Sequence, residues 1–217
     1  MEKDTILKSL DELRKESKQR KFAQSADLIV NLQDLDFKKP TDQLDFFITL
    51  NHGLGKKMTV CSITGPEMTD ESKRVCDFIV EQLEFDAYAA DKKKVKRLAR
   101  KYDFFIAQAN IMPKVAQVFG RYLGPKNKMP NPKAGAVFPP KTNLQPLYDK
   151  LQKTIRIVAK KSFVLQVMIG KENQPDAELA DNIYTVYDQL IHHLPKEKNN
   201  IKSMYIKFTM SKPVKLT

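Results

Sequence analysis

The sequence contains few of the residues from which catalytic and metal sites are usually built. It has only three histidines and two cysteines in 217 residues, and the cysteines lack the short spacing of a zinc site or a redox pair. Cys61 and Cys76 lie in apolar surroundings, so we expect buried free thiols, no metal and no other cofactor. His192 and His193 end a predicted helix, where imidazoles commonly contact the last carbonyl groups, which favours a structural role for both.

Long apolar runs are also missing. The longest are too short to cross a bilayer, and the polar N-terminus, Met1-Glu-Lys-Asp-Thr, shows no secretory signal. We therefore expect a cytosolic protein with no membrane partner. A hydrophobic fraction of 41% over this length nevertheless supports one large or two small folded domains.

Acidic residues are absent from one long stretch, residues 104–148. The whole chain carries a net charge of +12 with a pI near 9.5, which favours an anionic partner such as nucleic acid or a membrane surface. The basic residues of the stretch are Lys114, Arg121, Lys126, Lys128, Lys133 and Lys141.

The most distinctive part of this stretch is residues 122–137, YLGPKNKMPNPKAGAV. Its prolines fix φ and remove N–H donors, and its glycines permit turns, so it predicts a shaped loop. A stiff basic loop suits a polyanion, so Lys126, Lys128 and Lys133 are candidates for a secondary basic RNA surface, together with Lys92, Lys93 and Lys94. The loop's place just before the chain returns near Ile155 predicts that its main role is to shape one side of its domain. A solvated connector that happens to be basic is the alternative.

A second basic segment is Lys92–Lys101, KKKVKRLARK. On a helix, Val95, Leu98 and Ala99 form an apolar stripe, so the cations, among them Lys92, Lys93 and Lys94, spread over the outer face. Such a face attracts phosphates in a salt-dependent way without selecting a sequence. An ordinary solvated helix face is the competing interpretation.

Periodicity predicts an α+β domain from the two ends of the chain. A first strand alternates Phe22, Gln24, Ala26 and Leu28 on one side. The predicted elements are a helix over 4–20, strands over 22–32 and 45–50, a hairpin of 154–159 with 163–169, a helix over 179–194 and a strand over 204–210.

The middle of the chain alternates short strands and helices instead. The predicted elements are strands over 58–63, 86–90 and 103–108 and helices over 69–83, 92–101 and 113–119. This rhythm indicates a parallel sheet covered on both faces. We therefore predict a terminal α+β domain, an antiparallel sheet with two helices, spanning 1–63 plus 156–217. A three-layer Rossmann-like α/β domain, 64–155, is inserted into it, and the crossings near 64 and 155 form a hinge.

Two nucleotide-binding motifs are incomplete in this sequence. In the segment HGLGKK, residues 52–57, Leu50 stands where a P-loop needs its first glycine and Lys57 where it needs Ser or Thr. No Gly-x-Gly-x-x-Gly follows a strand. A small α/β enzyme acting on a phosphorylated ligand and a nonspecific basic RNA chaperone remain as alternatives to a specific RNA-binding protein.

Several segments together resemble a known family. They are YLGPKNKMPNPKAGAV from Tyr122, KFAQSAD from Lys21, HGLGK from His52, LADNI from Leu179 and the pair Thr209-Met210. In order and spacing the chain is similar, over nearly its whole length, to the family of large-subunit ribosomal protein L-one, the protein of the mobile ribosomal stalk, and to its archaeal branch in particular. The family's fold, a terminal α+β domain with an inserted α/β domain, agrees with the division predicted from periodicity.

The resemblance implies binding to a folded segment of large-subunit rRNA, chiefly by the terminal domain. The positions that match the family's RNA contacts are Phe22, Ser25, Asp27, Lys171, Thr209, Met210 and Ser211. Short hydroxyls and a carboxylate suit a groove that is recognised by shape and by 2′-hydroxyls. The strand parity of Phe22 and Met210 equally suits a core position. Many members have glycine where this chain has Ser211, which leaves the turn there and the contact of Ser211 open.

The resemblance also implies a second task and a regulatory one. The inserted domain faces tRNA in the ribosomal exit site, and free copies, expected to be monomers, repress translation by binding their own mRNA. Neither role involves an enzymatic activity.

Overall fold

The computed structural model describes residues 3–216, which form two compact units. One unit combines the chain up to Lys56 with the chain from Lys153 onward, and the other is Lys57–Gln152. The helices and strands, numbered in chain order, are α1 (Lys3–Glu16), β1 (Ser25–Leu32), β2 (Leu44–Thr49), β3 (Val60–Thr64), α2 (Thr69–Val75), β4 (Phe78–Glu81), α3 (Phe85–Ala90), α4 (Lys92–Lys101), β5 (Phe104–Gln108), α5 (Met112–Leu123), β6 (Val137–Phe138), α6 (Gln145–Gln152), β7 (Thr154–Ala159), β8 (Val164–Lys171), α7 (Asp176–His193), β9 (Ile201–Phe208) and β10 (Val214–Lys215).

The unit formed by the two chain ends is built on an antiparallel four-stranded sheet in the order β10-β9-β1-β8. Strand β1 alternates strictly between half-buried and buried residues, which places Leu28 and Val30 in the core. Helices α1 and α7 pack together and against the sheet, and Leu10 and Val186 are fully buried between these layers. The predicted α+β domain with an antiparallel sheet and two helices is confirmed.

Strands β2 and β7 form a separate two-stranded antiparallel sheet. The predicted hairpin of 154–159 with 163–169 is therefore wrong, because β7 pairs with β2 and β8 pairs with β1. Both strands are near their predicted positions, but an alternating pattern does not specify the partner strand. Arg156 on β7 supports the observed pairing by donating to both carboxylate oxygens of Asp45 on β2, at 2.8 and 2.9 Å.

The inserted unit contains a parallel four-stranded sheet in the order β4-β3-β5-β6. Cys61 and Ile63 of β3 belong to a buried cluster with side chains of α4 and α5. On the opposite face, the hydroxyl of Ser62 lies 3.2 Å from that of Ser72 in α2. Every residue of β3 is buried, as expected for a parallel strand covered on both faces, and the predicted α/β domain is confirmed.

Two predicted elements of this unit are wrong. The predicted helix over 69–83 ends at Val75, and β4 follows it. Asp77 causes the break, since its amide donates to the carbonyl of Val60 and its carboxylate accepts from the amide of Val60 at 2.9 Å. The predicted strand over 86–90 is helix α3, in agreement with the helix propensity of its alanines.

The ends of several elements also differ from the predicted ones. β1 begins at Ser25 and β9 ends at Phe208, so Phe22, Thr209 and Met210 lie just outside the strands on which they were predicted. The strand predicted over 58–63 opens the alternating middle pattern, but the predicted boundary at 64 left it outside the inserted domain. Its parallel pairing, as β3, with β4 and β5 places it in the inserted unit. The hinge near 64 and 155 stays a prediction. Among the described residues, no helix combines the length and apolar character that a membrane span requires.

Candidate nucleic-acid interface

Three strand ends of the terminal unit meet at one edge of its sheet. β1 begins at Ser25, β8 ends at Lys171 opposite Ser25, and β9 ends at Phe208 opposite Ala26. These strand ends and the turns beside them carry all the residues predicted from the resemblance to contact rRNA. We call this set the strand-end patch: Phe22, Ser25, Asp27, Lys171, Thr209, Met210 and Ser211.

Thr209 closes the patch on the β9 side. Its amide donates to the carbonyl of Ser25 at 3.1 Å, and its hydroxyl oxygen accepts from the amide of Ser25 at 3.0 Å. The side chain thus continues the hydrogen-bond ladder past the end of β9. Thr209 is exposed, so the second lone pair of the hydroxyl stays accessible to a ligand.

Lys171 holds the patch on the β8 side. Its ammonium donates to the hydroxyl of Ser25 at 3.0 Å and to the carbonyl of Ala23 at 3.3 Å. A flexible lysine is thereby fixed over the start of β1, which reduces the entropy that would be lost if the same ammonium contacted a phosphate.

The two large apolar members of the patch are exposed. Phe22 is 53% and Met210 is 58% accessible. This exposure excludes the core role that strand parity allowed for both residues. Large apolar side chains beside cations provide stacking and apolar contacts for a nucleic acid.

Asp27 lies two residues along β1 from Ser25 and therefore on the same face of the sheet. Its neighbour across the ladder is Lys207. Partial burial raises the pKa of the Asp27 carboxyl, and the positive charges of Lys207 and Lys171 oppose that rise. The carboxylate is positioned to accept a hydrogen bond from a ligand hydroxyl.

Ser211 points inward and closes the turn after β9. Its hydroxyl oxygen accepts from the amide of Phe208 at 2.8 Å, and its amide donates to the carbonyl of Phe208 at 3.1 Å. The turn needs no positive φ at this position, so serine fits it without strain. Its hydroxyl also donates to the carbonyl of Lys212 at 2.9 Å, which leaves the side chain little capacity for a ligand.

Sequence reasoning missed Gln24, a buried residue that connects the start of β1 to the turns after β8 and β9. This side chain is 1% exposed, and its carbonyl oxygen accepts from the amide of Met210 at 3.0 Å. Its backbone carbonyl accepts from the amide of Glu172 at 2.9 Å. The signal was present, because Gln24 is a polar residue in the apolar register of the strand predicted over 22–32.

The segment HGLGK braces the patch and does not form a phosphate loop. The amide nitrogen of the Gln174 side chain donates to the carbonyl of Gly53 at 2.8 Å, and its oxygen accepts from the amide of Lys171 at 2.8 Å. Gly55 has a φ of +67°, and a Cβ there would lie 2.9 Å from the Gln174 side-chain oxygen. Glycine is thus required for the close approach of this loop to the end of β8.

Two open depressions flank the patch. One, of about 620 Å³, includes Phe22 in its wall, and the other, of about 500 Å³, includes Met210. Arg20 lines both of them, so they adjoin each other. Their remaining cations, which sequence reasoning did not single out, are Arg14, Lys18, Lys21 and Lys212.

The residues of the predicted secondary basic surface all lie in the inserted unit, but they differ in exposure. Lys92, Lys93 and Lys94 are exposed at the start of α4, where Asp91 caps the helix by accepting from the amides of Lys93 and Lys94. In the basic loop, Lys126 and Lys133 are exposed as well.

Lys128 differs from the other loop cations. It is half-buried, and its ammonium donates to the carbonyl of Tyr102 at 2.6 Å, next to the end of α4. The loop is shaped as predicted, with left-handed conformations at Asn127 and Gly135. Lys128 therefore anchors the loop, whereas the other two loop cations face solvent.

The cysteines and His193 are packed against other parts of the protein. Burial raises the pKa of the Cys61 thiol, and mainly burial raises that of Cys76 to about 11. Cys76 is only half-buried, which corrects the prediction of two buried thiols. His193 stacks on Phe46 with ring centroids 3.8 Å apart. Over residues 3–216, no group of His, Cys, Asp and Glu has an arrangement that could hold a metal ion.

Comparison with known proteins identifies relatives along nearly the whole chain. A family model described as "Ribosomal protein L1p/L10e family" matches residues 13–212. The protein named "Large ribosomal subunit protein uL1" of Pyrococcus abyssi is 37% identical over 216 residues, which cover 99% of this chain and 96% of that protein. Proteins with the same name from Methanobrevibacter smithii and Nanoarchaeum equitans are each 38% identical, over 97% and 96% of this chain and 98% and 99% of their own lengths.

Proposed function

Because the chain belongs to the ribosomal protein L1p/L10e family, in its archaeal branch, we propose that it binds a folded stalk segment of large-subunit rRNA through the strand-end patch. As a member of this family it is a structural component of the large ribosomal subunit that associates with rRNA, and it is not an enzyme.

One observation carries the proposal. Residues separated by up to 184 positions in sequence meet at one exposed sheet edge and are hydrogen-bonded to one another before any ligand arrives. A preformed rigid surface loses little entropy on binding. It therefore suits a ligand that is itself folded, because neither partner has to reorganise.

The chemistry of the patch matches double-helical RNA. The minor groove of RNA is wide and shallow and displays 2′-hydroxyls, which are read by short polar side chains. Thr209 and Asp27 offer oxygen acceptors for these hydroxyls, and Phe22 offers an aromatic edge. Cations outnumber carboxylates in the depressions on either side, whose walls also contain Glu172 and Glu16, so they supply attraction to the flanking phosphates.

The test compares two exposed phenylalanines of the same unit. We expect Phe22→Ala to weaken binding to the stalk rRNA segment, measured by filter binding or calorimetry at fixed salt. Phe163→Ala is the matched control, because Phe163 is 45% exposed and directly precedes β8, whereas the patch lies at the far end of that strand. Equal effects of the two substitutions, or none from Phe22→Ala in a folded protein, would contradict the role of the patch.

We further propose that the inserted unit meets exit-site tRNA and assists its movement and release. The exposed cations Lys92, Lys93, Lys94, Lys126 and Lys133 support this role by their charge. Replacing the three lysines of α4 with glutamine should weaken binding of full-length protein to deacylated tRNA. Unchanged tRNA affinity would argue against it.

A regulatory role follows if the protein's own mRNA folds into the same shape as the rRNA segment. Free protein would then repress its own translation through the strand-end patch. Added wild-type protein should repress translation of this mRNA in a cell-free system, and Phe22→Ala should repress it less. Equal repression by both proteins would exclude the patch from this function.

A further inference from the structure

The inserted unit contains a small cavity between the edge strand β4 and helix α4. Its volume is about 190 Å³, and it is lined by Leu98, by the aromatic side chains of Phe78, Tyr88 and Tyr102, and by the cationic ones of Lys94, Arg97 and Lys101. None of these residues belongs to the strand-end patch. We call it the β4-α4 cavity.

Two aromatic rings form one wall of the cavity. Phe78 and Tyr102 stack with centroids 5.2 Å apart and ring planes 18° from parallel. Tyr102 is nearly buried, at 4% exposure, whereas Phe78 remains 36% exposed. The open surface of this stacked pair therefore belongs to Phe78, a large apolar ring that the unit's own core does not cover.

The cations form the other wall because of their helical spacing. Lys94, Arg97 and Lys101 recur at intervals of three and four residues, which places them along one side of α4. The ammonium of Lys101 lies 5.3 Å from the centroid of the Tyr102 ring, within the range of a cation–π contact. Helix α4 contains no acidic residue that would neutralise this side.

The size of the cavity restricts the ligand. Pockets for drug-sized molecules or whole cofactors span roughly 300 to 1,000 Å³, so about 190 Å³ suits a single flat ring. An aromatic face next to a line of cations is the arrangement by which proteins bind single-stranded nucleic acid, with the base stacked and its phosphates near the cations.

We propose that the β4-α4 cavity binds one unpaired nucleobase of RNA, stacked on Phe78, with the adjoining phosphates on Lys94, Arg97 and Lys101. The choice of RNA as the ligand rests on the proposed function. The aromatic and cationic lining of the cavity is observed independently of that function. The site differs from the strand-end patch in kind, because it selects an unstacked base and not a helical groove. It also differs from general phosphate attraction, which needs no aromatic ring.

The test uses full-length protein and a single-stranded tetraribonucleotide with 2-aminopurine at an internal position, whose fluorescence falls when the base stacks. We expect wild-type protein to quench this fluorescence. Phe78→Leu keeps an apolar side chain on β4 but removes the ring, and it should weaken binding about 5- to 150-fold, the effect of removing one base-stacking platform. Phe78→Tyr should retain quenching and affinity.

Two controls separate this site from other causes. Phe163→Leu removes an exposed ring from the terminal unit and should leave quenching unchanged. Lys94→Gln with Lys101→Gln should weaken binding of the tetranucleotide and reduce its salt dependence, independently of any folding defect in Phe78→Leu. Binding that survives Phe78→Leu, or quenching lost equally in Phe163→Leu, would overturn the proposal.

Failure here is distinguishable from failure of the proposed function. The Phe22→Ala experiment measures binding of the folded stalk segment, and the tetranucleotide experiment measures stacking of an unpaired base. Phe78→Leu should leave affinity for the folded stalk segment unchanged. Loss of that affinity in Phe78→Leu would place Phe78 in the first interaction and would contradict a separate base site.

Discussion

The hydroxyl oxygen of Thr209 accepts a hydrogen bond from the backbone amide of Ser25 at 3.0 Å, while the amide of Thr209 donates to the carbonyl of Ser25 at 3.1 Å. This reciprocal pair joins the end of β9 to the start of β1. It extends the hydrogen-bond ladder one residue beyond the end of β9 and fixes Thr209 in the strand-end patch.

Thr209→Val removes the acceptor while keeping the shape of the side chain. We expect it to lower the free energy of unfolding by about 0.5 to 1.5 kcal/mol, because the amide of Ser25 loses its acceptor. We expect it to weaken the free energy of rRNA binding by about 1 to 3 kcal/mol, because a ligand hydroxyl loses its acceptor too. Urea unfolding and filter binding measure the two effects. Thr209→Ser keeps the oxygen and should show little of either, and normal affinity in folded Thr209→Val would remove Thr209 from the site.

A substitution at Gly55 tests the contact between the HGLGK loop and the end of β8 at Lys171. Gly55→Ala should destabilise the protein by about 1 to 3 kcal/mol in urea unfolding, since alanine at a φ of +67° is strained and its Cβ would approach the Gln174 side chain. Gly53→Ala is the matched control, because nothing lies within 4 Å of a Cβ there and its φ is not positive. Equal stability of the two variants would show that the loop does not need this geometry.

The pairing of β2 with β7 should depend on pH. Hydrogen bonds from Arg156 lower the pKa of Asp45 to about 2, against an ordinary value of 3.8. A carboxyl with a lowered folded-state pKa stabilises the protein fully above its unfolded pKa and loses that contribution as pH falls through its folded pKa. Wild type should therefore exceed Asp45→Asn by about 2 kcal/mol near neutral pH, and the difference should disappear between about pH 4 and 2.

Urea unfolding at several pH values measures that difference. Asp11→Asn is a control, because Asp11 forms a solvent-exposed pair with Lys15 that water and salt screen. A wild-type advantage that persists unchanged at pH 2 would contradict the assignment of this stability to the Asp45 carboxylate.

The cations at the start of α4 should act through charge alone. Replacing Lys92, Lys93 and Lys94 with glutamine should flatten the dependence of RNA affinity on salt, by roughly 0.7 to 0.9 in the logarithmic slope for each phosphate that the protein no longer neutralises. The preference among RNA sequences should not change. As a control, replacing the exposed lysines Lys8, Lys198 and Lys202 with glutamine gives the same change in net charge within the terminal unit. An equal loss of salt dependence in this control would show that the position of the lysines on α4 does not matter.

Local pattern predicted much of this fold, and non-local pairing accounts for most of the errors. The alternation in β1 and the apolar stripe of α4 both identified the buried faces, because each depends only on the period of one element. The partner of β7 and the end of α2 depend on Asp45 and Val60, which lie far away in sequence. No local pattern contains that information.

The same distinction applies to the candidate site. The family resemblance identified Phe22 and Met210 as RNA contacts, whereas the alternation of the predicted strands was equally compatible with core positions. Both residues lie just beyond a strand, where the alternation no longer determines which side chains are buried. Gln24 was visible as a polar residue in an apolar register, and its role became clear only when its contact with Met210 was known. The β4-α4 cavity was not predictable, because β4 had been assigned to a helix.

The central claim is that the strand-end patch recognises the shape of a folded rRNA segment. The most direct measurement is a salt titration of full-length protein with the stalk rRNA segment and with random RNA of equal length. Recognition by shape predicts that the stalk segment stays bound at salt concentrations that release random RNA, and that Phe22→Ala narrows this gap. Dissociation of both RNAs at the same salt concentration would contradict the claim and indicate a nonspecific basic RNA-binding protein.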